Sequence, residues 1–364
     1  MRVGVQQLFQ NTGDPSADRA RYQEELRLAR LVEPLGYDSV WGVEHHFSGY
    51  SMTPNVLQFL AYMAAATERI ELGSMVVVLP WHNPVRVADE VSQLDNLSDG
   101  RVILGVGRGL GRLEFDGLGV PMDESRERFV EAAQLVLGGL EQGRVDFQGK
   151  HYQQAPRDLR PRPVRSFRGR TWAAAVSPES MRIMAELGVA ILIIPQKPWP
   201  MVAEDLRSYR RVFREVTGEA APPTLVTSPV FCDPDPKRAE AEARRHIADY
   251  YRSVVAHYEL TGEHFEETRG YEFYAENKRA MEKRSESKTV GFYVDLQVWG
   301  TPDQCYEKAV ALQKRVGMDY FVPNFHFAGI SGQEAERNMR MFAADVLRRL
   351  KALPPLSADQ ADPA

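Results

Sequence analysis

Glu44-His45-His46, a carboxylate followed by two imidazoles, is the run in this 364-residue chain best suited to moving protons. An imidazole titrates near neutrality and exchanges a proton at either ring nitrogen, and a nearby carboxylate can fix which one. Adjacent residues of an extended strand point to opposite faces, so His45 and His46 cannot grip one metal together. One is expected to face a pocket and the other to pack. On local sequence alone, a catalytic His45 and a merely hydrogen-bonded structural His45 are equally open.

A second group suits an anion. Gly105-Val106-Gly107-Arg108-Gly109-Leu110-Gly111 is rich in glycine, but Leu110 and Arg112 stand where the spacing GxGxxG needs its last glycine, so no dinucleotide fingerprint follows. The glycines still allow a sharp turn at a strand end and close approach of a ligand, with Arg108 at the turn. An arginine there can hold a phosphate by two parallel hydrogen bonds, or simply sit in a surface turn. Ser177-Pro178-Glu179-Ser180 opens a helix, offering hydroxyls and free N–H groups to an anion, which is also what an ordinary N-cap looks like. Arg126 would join them at one end of the fold. The patterns HExxH, GxSxG and GxxxxGK[ST] are all missing from the sequence, which disfavours zinc peptidase, serine hydrolase and P-loop chemistry.

Short β-branched runs alternating with helical patterns must position these residues. Strands are predicted at Val3 to Phe9, Ser39 to Val43, Glu71 to Leu79, Val102 to Gly107, Thr171 to Val176, Ala190 to Ile194, Leu225 to Phe231 and Asp319 to Asn324. Helices are predicted between them, including Val56 to Ala66, Val85 to Leu97, Arg126 to Leu140, Pro178 to Leu187 and Pro302 to Val316. Eight such units predict an α/β protein, a (β/α)8 TIM barrel, with a doubly wound sheet as the other arrangement the pattern permits. Its chemistry would sit at the carboxyl ends of the strands.

The region from Gln142 to Arg170 reads as an irregular surface excursion. After a charged helix near Lys237 to Tyr258, the stretch Glu259 to Gly291 is dense in charge and has no sustained apolar period. An insertion there, between strands 7 and 8, is expected to be either a lid or a solvated, weakly structured loop. The expected organisation is one domain over residues 1–353 and a disordered tail over 354–364.

Composition narrows the class. The chain is 43% hydrophobic and 26% charged with a formal net charge of -5, an ordinary globular balance without the basic excess that nucleic acid would need. No leader-like or membrane-spanning run is evident, which predicts a cytoplasmic protein. Two distant cysteines, Cys232 and Cys305, make neither a disulfide framework nor a cysteine zinc site.

Glu44-His45-His46-Phe47, Val77-Val78-Leu79-Pro80, Asn83-Pro84-Val85-Arg86, Leu94 to Arg101, Gly107-Arg108-Gly109-Leu110 and Gly300 to Cys305 are spread along the chain. Together these motifs resemble the bacterial luciferase-like flavin monooxygenase family. Thr268-Arg269-Gly270-Tyr271-Glu272-Phe273 resembles the mobile lid of the catalytic subunit of bacterial luciferase. The resemblance implies a barrel that takes reduced FMN from a separate NAD(P)H-dependent flavin reductase and reacts it with O2 at flavin C4a. The resulting hydroperoxide would oxygenate a small organic substrate, an aldehyde or a natural-product intermediate. It implies His45 as the catalytic residue, and Arg108, Arg126, Ser177 and Ser180 as phosphate ligands with Val176 contributing backbone. Glu44, Gly107 and Glu114 would stand near the flavin, and Met75-Val76 would form a non-proline cis peptide.

Two departures bear on the substrate. Gly107 stands where luciferase has a reactive cysteine, which is expected to open space beside the flavin, and Gln196-Lys197-Pro198-Trp199-Pro200 is unlike luciferase. Relatives on this barrel that transfer hydride with the deazaflavin F420, or that bind flavin without turnover, supply the alternative functions. The helices Val56 to Ala66 and Val85 to Leu97 match the luciferase subunit interface and imply a homodimer, although Ala61, Ala64, Ala65 and Ala66 also suit a helix packed on its own barrel.

Overall fold

Four helices begin on one local pattern, a side chain that accepts a backbone N–H followed by a proline: Asn83-Pro84, Ser177-Pro178, Asp235-Pro236 and Thr301-Pro302. Proline at the first helical position gives up an N–H that would have had no partner, and the cap satisfies another. These stops and starts divide the chain into strand-helix units. A computed structural model describes residues 1–354 and 356. Of the predicted tail only Pro354 and Leu356 are described; residues 355 and 357–364 lie outside the described residues.

Eight parallel strands form the centre: β1 (Arg2–Gln7), β2 (Ser39–Gly42), β3 (Glu71–Ser74), β4 (Val102–Gly107), β5 (Thr171–Ala174), β6 (Ala190–Ile193), β7 (Thr224–Cys232) and β8 (Met318–Asn324). Each pairs with the next, and β8 returns to β1 with Val3 opposite Phe321. The sheet therefore closes into the (β/α)8 barrel rather than staying open as a doubly wound sheet. Val77–Val78 follows β3 and pairs with the end of β4, and Val298–Gly300 pairs with the end of β7.

All four residues of β2 are buried, as expected for a strand covered on both faces. The barrel interior is filled by Trp41, Ile103, Trp172, Leu192, Leu225 and Tyr320. Trp41 fits because its neighbours have no side chains. A Cβ on Gly73 would lie 2.2 Å from the indole ring, and one on Gly4 would lie 2.7 Å from its Nε1. Trp41 Nε1 donates to Ser39 Oγ at 2.7 Å, and its ring meets Tyr320 edge to face at 5.5 Å. Burying about 200 Å2 of indole contributes roughly 5 kcal/mol at about 25 cal/mol per Å2. A second, larger core lies between the strands and the outer helices.

Two segments differ from expectation. The region predicted as an irregular excursion contains an antiparallel hairpin, Arg144–Gln148 with Gln153–Asp158. Its turn is organised from outside: the Glu131 carboxylate accepts the N–H groups of Lys150, His151 and Tyr152. The insertion between β7 and β8 is helical, with helices at His264–Glu267, Glu272–Glu282 and Glu286–Asp295, which corrects the weakly structured alternative. Its apolar residues Phe265, Tyr271 and Ala275 bury against Leu110, Met122 and Leu260. The covering surface comes partly from the loops beyond β4, so no apolar period within the insertion was needed to order it.

Candidate functional site

Beyond β2 the chain splits its three polar residues among different partners. Glu44, 2% exposed, accepts Val78 N–H at 2.9 Å and faces His82 Nε2 at 2.6 Å and His46 Nε2 at 3.3 Å. Burial pushes this carboxyl up, but the two imidazoles and the Val78 N–H outweigh it and hold the group below its usual range. Glu44 therefore braces the turn after β3, and its carboxylate is already engaged. His46 packs its ring against Trp81 at 5.5 Å. His45 faces the other way and lines a cavity at the carboxyl end of the barrel.

His45 is held on both sides. Its Nδ1 lies 3.0 Å from Glu114 Oε1, which also accepts the His46 N–H at 2.9 Å. Its Nε2 lies 3.3 Å from the Tyr258 hydroxyl. His257, the last residue of the helix Pro236–His257, places Nε2 3.2 Å from His45 Nδ1 and 3.5 Å from Glu114 Oε2. Burial raises the Glu114 carboxyl, but His257 and His45 more than reverse this and bring it to about 2. Burial is also what lowers His257, against the pull of Glu114. Tyr258 is pushed well up by burial and then by Glu114, so it stays a neutral hydroxyl.

The anion group assembles at the other end of the same cavity. Arg108 leaves the end of β4, stacks its guanidinium 3.9 Å above the Tyr271 ring, and donates Nη1–H to Gly270 O at 2.7 Å. Arg126 donates Nη2–H to the same carbonyl at 2.8 Å and pairs with Glu179. Two cations thus share one neutral acceptor, and the Arg126 Nε–H is buried with no partner. A cluster of donors left short of acceptors fits a phosphate. Ser180 lines this end, while Ser177 caps the helix, accepting Ser180 N–H at 3.1 Å and donating to Ser180 Oγ at 2.8 Å.

The residues singled out by sequence largely meet. Glu44, His45, Met75, Val76, Gly107, Arg108, Glu114, Arg126, Val176 and Ser180 line one cavity, with Ser177 beside it. The Met75-Val76 peptide is cis. The Val176 carbonyl is taken by Lys197 Nζ at 2.7 Å. The space expected at Gly107 is not open: a Cβ there would come within 2.4 Å of Val76 Cγ2, so the valine side chain fills it.

The family model described as luciferase-like monooxygenase matches residues 1–319. The chain belongs to the luciferase-like monooxygenase family. Within it, the chain is 25% identical over 337 residues to the alkanal monooxygenase alpha chain of Photorhabdus luminescens, covering 90% of this chain and 91% of that one. Monooxygenase RslO1 from Streptomyces bottropensis superposes with a TM-score of 0.78 at 25% identity, over 96% of this chain and 99% of the other. The oxygenating constituent of 3,6-diketocamphane monooxygenase from Pseudomonas putida, a type II Baeyer-Villiger monooxygenase solved in complex with FMN, shares the fold at TM-score 0.74 and 19% identity, over 97% and 99% of the two chains.

Sequence reasoning missed the tyrosines that share the cavity with His45. Tyr250, Tyr258, Tyr274 and Tyr293 line the luciferase-like cavity from the helix before the insertion and from the insertion itself, and His257 stands behind His45. They sit in charged helical sequence where nothing local marks them. The available signal was a His-Tyr pair at the end of a helix that leads into an unusual insertion.

Proposed function

We propose that this luciferase-like protein is a two-component flavin monooxygenase, using reduced FMN and O2 to oxygenate a small organic substrate. The observation that carries the reading is the pairing, across one cavity, of a donor-rich anion end (Arg108, Arg126, Ser180) with a carboxylate-held imidazole, His45. Reduced FMN, when bound, supplies the electrons that activate O2. Arg108 and Arg126 would hold its phosphate, and Met75 and Val76 would line its ring site. His45 would exchange a proton at Nε2, with Glu114 fixing the ring from the Nδ1 side. The insertion would serve as the lid, its tyrosines helping to keep water out. The substrate would be an aldehyde or a natural-product intermediate.

The same reading includes a separate NAD(P)H-dependent flavin reductase as supplier of the reduced cofactor and a cytoplasmic location. It also includes a homodimer formed through the helices Val56–Ala66 and Pro84–Leu97. Ala65 and Ala66 are exposed on the first of these. Among the described residues no helix is long and apolar enough to cross a membrane.

Anaerobic titration with reduced FMN, followed by a pulse of O2, tests the reading. Binding of reduced FMN, with delayed return of oxidised-flavin absorbance relative to free flavin, is expected. His45→Ala should bind reduced FMN but lose most oxygenation. A protein that ignores reduced FMN and instead oxidises reduced F420 would replace this reading with hydride transfer.

A further inference from the structure

Two cavities meet at His45 and His257. His45 lines the barrel cavity, whereas His257 lines a second, more open cavity on the far side, bounded also by Asn11, Ser48, Asp249 and Glu259. Only one nitrogen-to-nitrogen gap of 3.2 Å separates the two rings. On the open side, His257 Nδ1 lies 2.9 Å from Ser48 Oγ. We propose that His257 is the relay through which His45 exchanges protons with solvent by way of Ser48 and the second cavity, so that the barrel cavity need not admit water. This rests on the flavin monooxygenase reading above.

The proton balance is simple. A proton taken up at His45 Nε2 is matched by one leaving His45 Nδ1 for His257 Nε2, and that ring releases one from Nδ1 to Ser48 and solvent. Both rings return to neutrality with their tautomers exchanged. When His45 later gives up its Nε2 proton in the cavity, one proton enters from solvent through Ser48 to His257 Nδ1 and one passes from His257 Nε2 to His45 Nδ1, which restores both. Glu114 lies against both, 3.0 Å from His45 Nδ1 and 3.5 Å from His257 Nε2. As an anion throughout, it stabilises an imidazolium on either ring and never has to carry the proton itself. The other groups against the pair are neutral: Tyr50 stacks on His257 at 4.5 Å, Tyr258 reaches His45 Nε2, and Ser48 faces His257 Nδ1. Of the charges that line the second cavity, Glu259 pairs with Arg112 and Asp249 with Arg252, while Asp18 accepts a hydrogen bond from Asn11 Nδ2 at 2.6 Å. The relay acts through His45, and its geometry is independent of what the substrate is.

The test uses His257→Gln, which keeps a polar side chain without a titrating ring, and His257→Ala, which opens a slot toward the second cavity. In apoprotein with 15N-labelled imidazoles, a nitrogen-nitrogen coupling across the 3.2 Å gap should join His45 Nδ1 to His257 Nε2. With reduced FMN as the probe, the loss of reduced-flavin absorbance on mixing with O2 should slow about tenfold in both variants while reduced-FMN affinity stays within about twofold. Imidazole added to His257→Ala should restore the rate. Failure of imidazole to restore it, or two rings with no coupling between His45 Nδ1 and His257 Nε2, would overturn the relay. Loss of wild-type turnover on treatment with a chelator would show that His45, Glu114 and His257 hold a cation instead, and would overturn it equally. A wild type that does not bind reduced FMN defeats the flavin reading, whereas the apoprotein 15N coupling still decides whether the two rings are joined.

Discussion

Glu114 Oε1 stands 3.0 Å from His45 Nδ1 although 69 positions separate the two residues, and the same oxygen accepts the backbone N–H of His46. One fully buried carboxylate therefore fixes both the ring and the chain that carries it. Only the Nε2 side of His45 is left to the barrel cavity. This second-partner arrangement sets the orientation of the imidazole and favours a proton on Nδ1 in the resting state.

Glu114 should also shape acid stability. Its carboxyl falls from 4.5 to about 2 in the fold, so its stabilisation is fully present above pH 4.5 and is lost as pH drops toward 2. The contribution is about 3 kcal/mol by linkage. Denaturant titrations from pH 2 to pH 6 should show Glu114→Gln less stable near pH 6 and flatter over the acid range. A variant with the wild-type acid slope would refute the assignment.

The two arginines should contribute separately to cofactor affinity. Charge-assisted hydrogen bonds of this kind are worth about 1.5–3 kcal/mol. Arg126→Ala and Arg108→Ala are each expected to weaken reduced-FMN binding about tenfold to a hundredfold, with a smaller effect on riboflavin, which has no phosphate. Equal losses for the two ligands, measured by anaerobic titration, would mean that the arginines do not hold the phosphate.

The insertion is secured by its own small cluster around Phe265, which is 1% exposed. Phe265→Ala should cost about 3 kcal/mol locally. Hydrogen exchange should then rise across residues 263–282 while the barrel midpoint temperature moves little. A cooperative loss of the whole barrel would show that the insertion belongs to the main core.

Gly73 should resist even the smallest side chain. With an added Cβ 2.2 Å from the Trp41 ring, Gly73→Ala should destabilise the barrel by about 1–3 kcal/mol. The change should appear as a lowered midpoint and an altered Trp41 environment in near-ultraviolet circular dichroism. Wild-type stability would mean that the indole has room to move.

Local periodicity and capping chemistry were enough to establish the alternation of strands and helices. Val102–Gly107, Val56–Ala66 and Pro302–Val316 end where their own residues predict, because apolar spacing, proline and glycine act within a few positions. The same local geometry separated His45 from His46. Motif resemblance singled out Arg108 and Ser180, which line one cavity because they follow strand ends that the barrel must gather at one face. Tertiary structure alone decided closure of the sheet, the helical order of the insertion, the filling of Gly107 by Val76, and the His257 behind His45. Each depends on surfaces supplied from elsewhere in the chain, in the last case across 212 positions. A contact of that span leaves no period in the sequence around either partner.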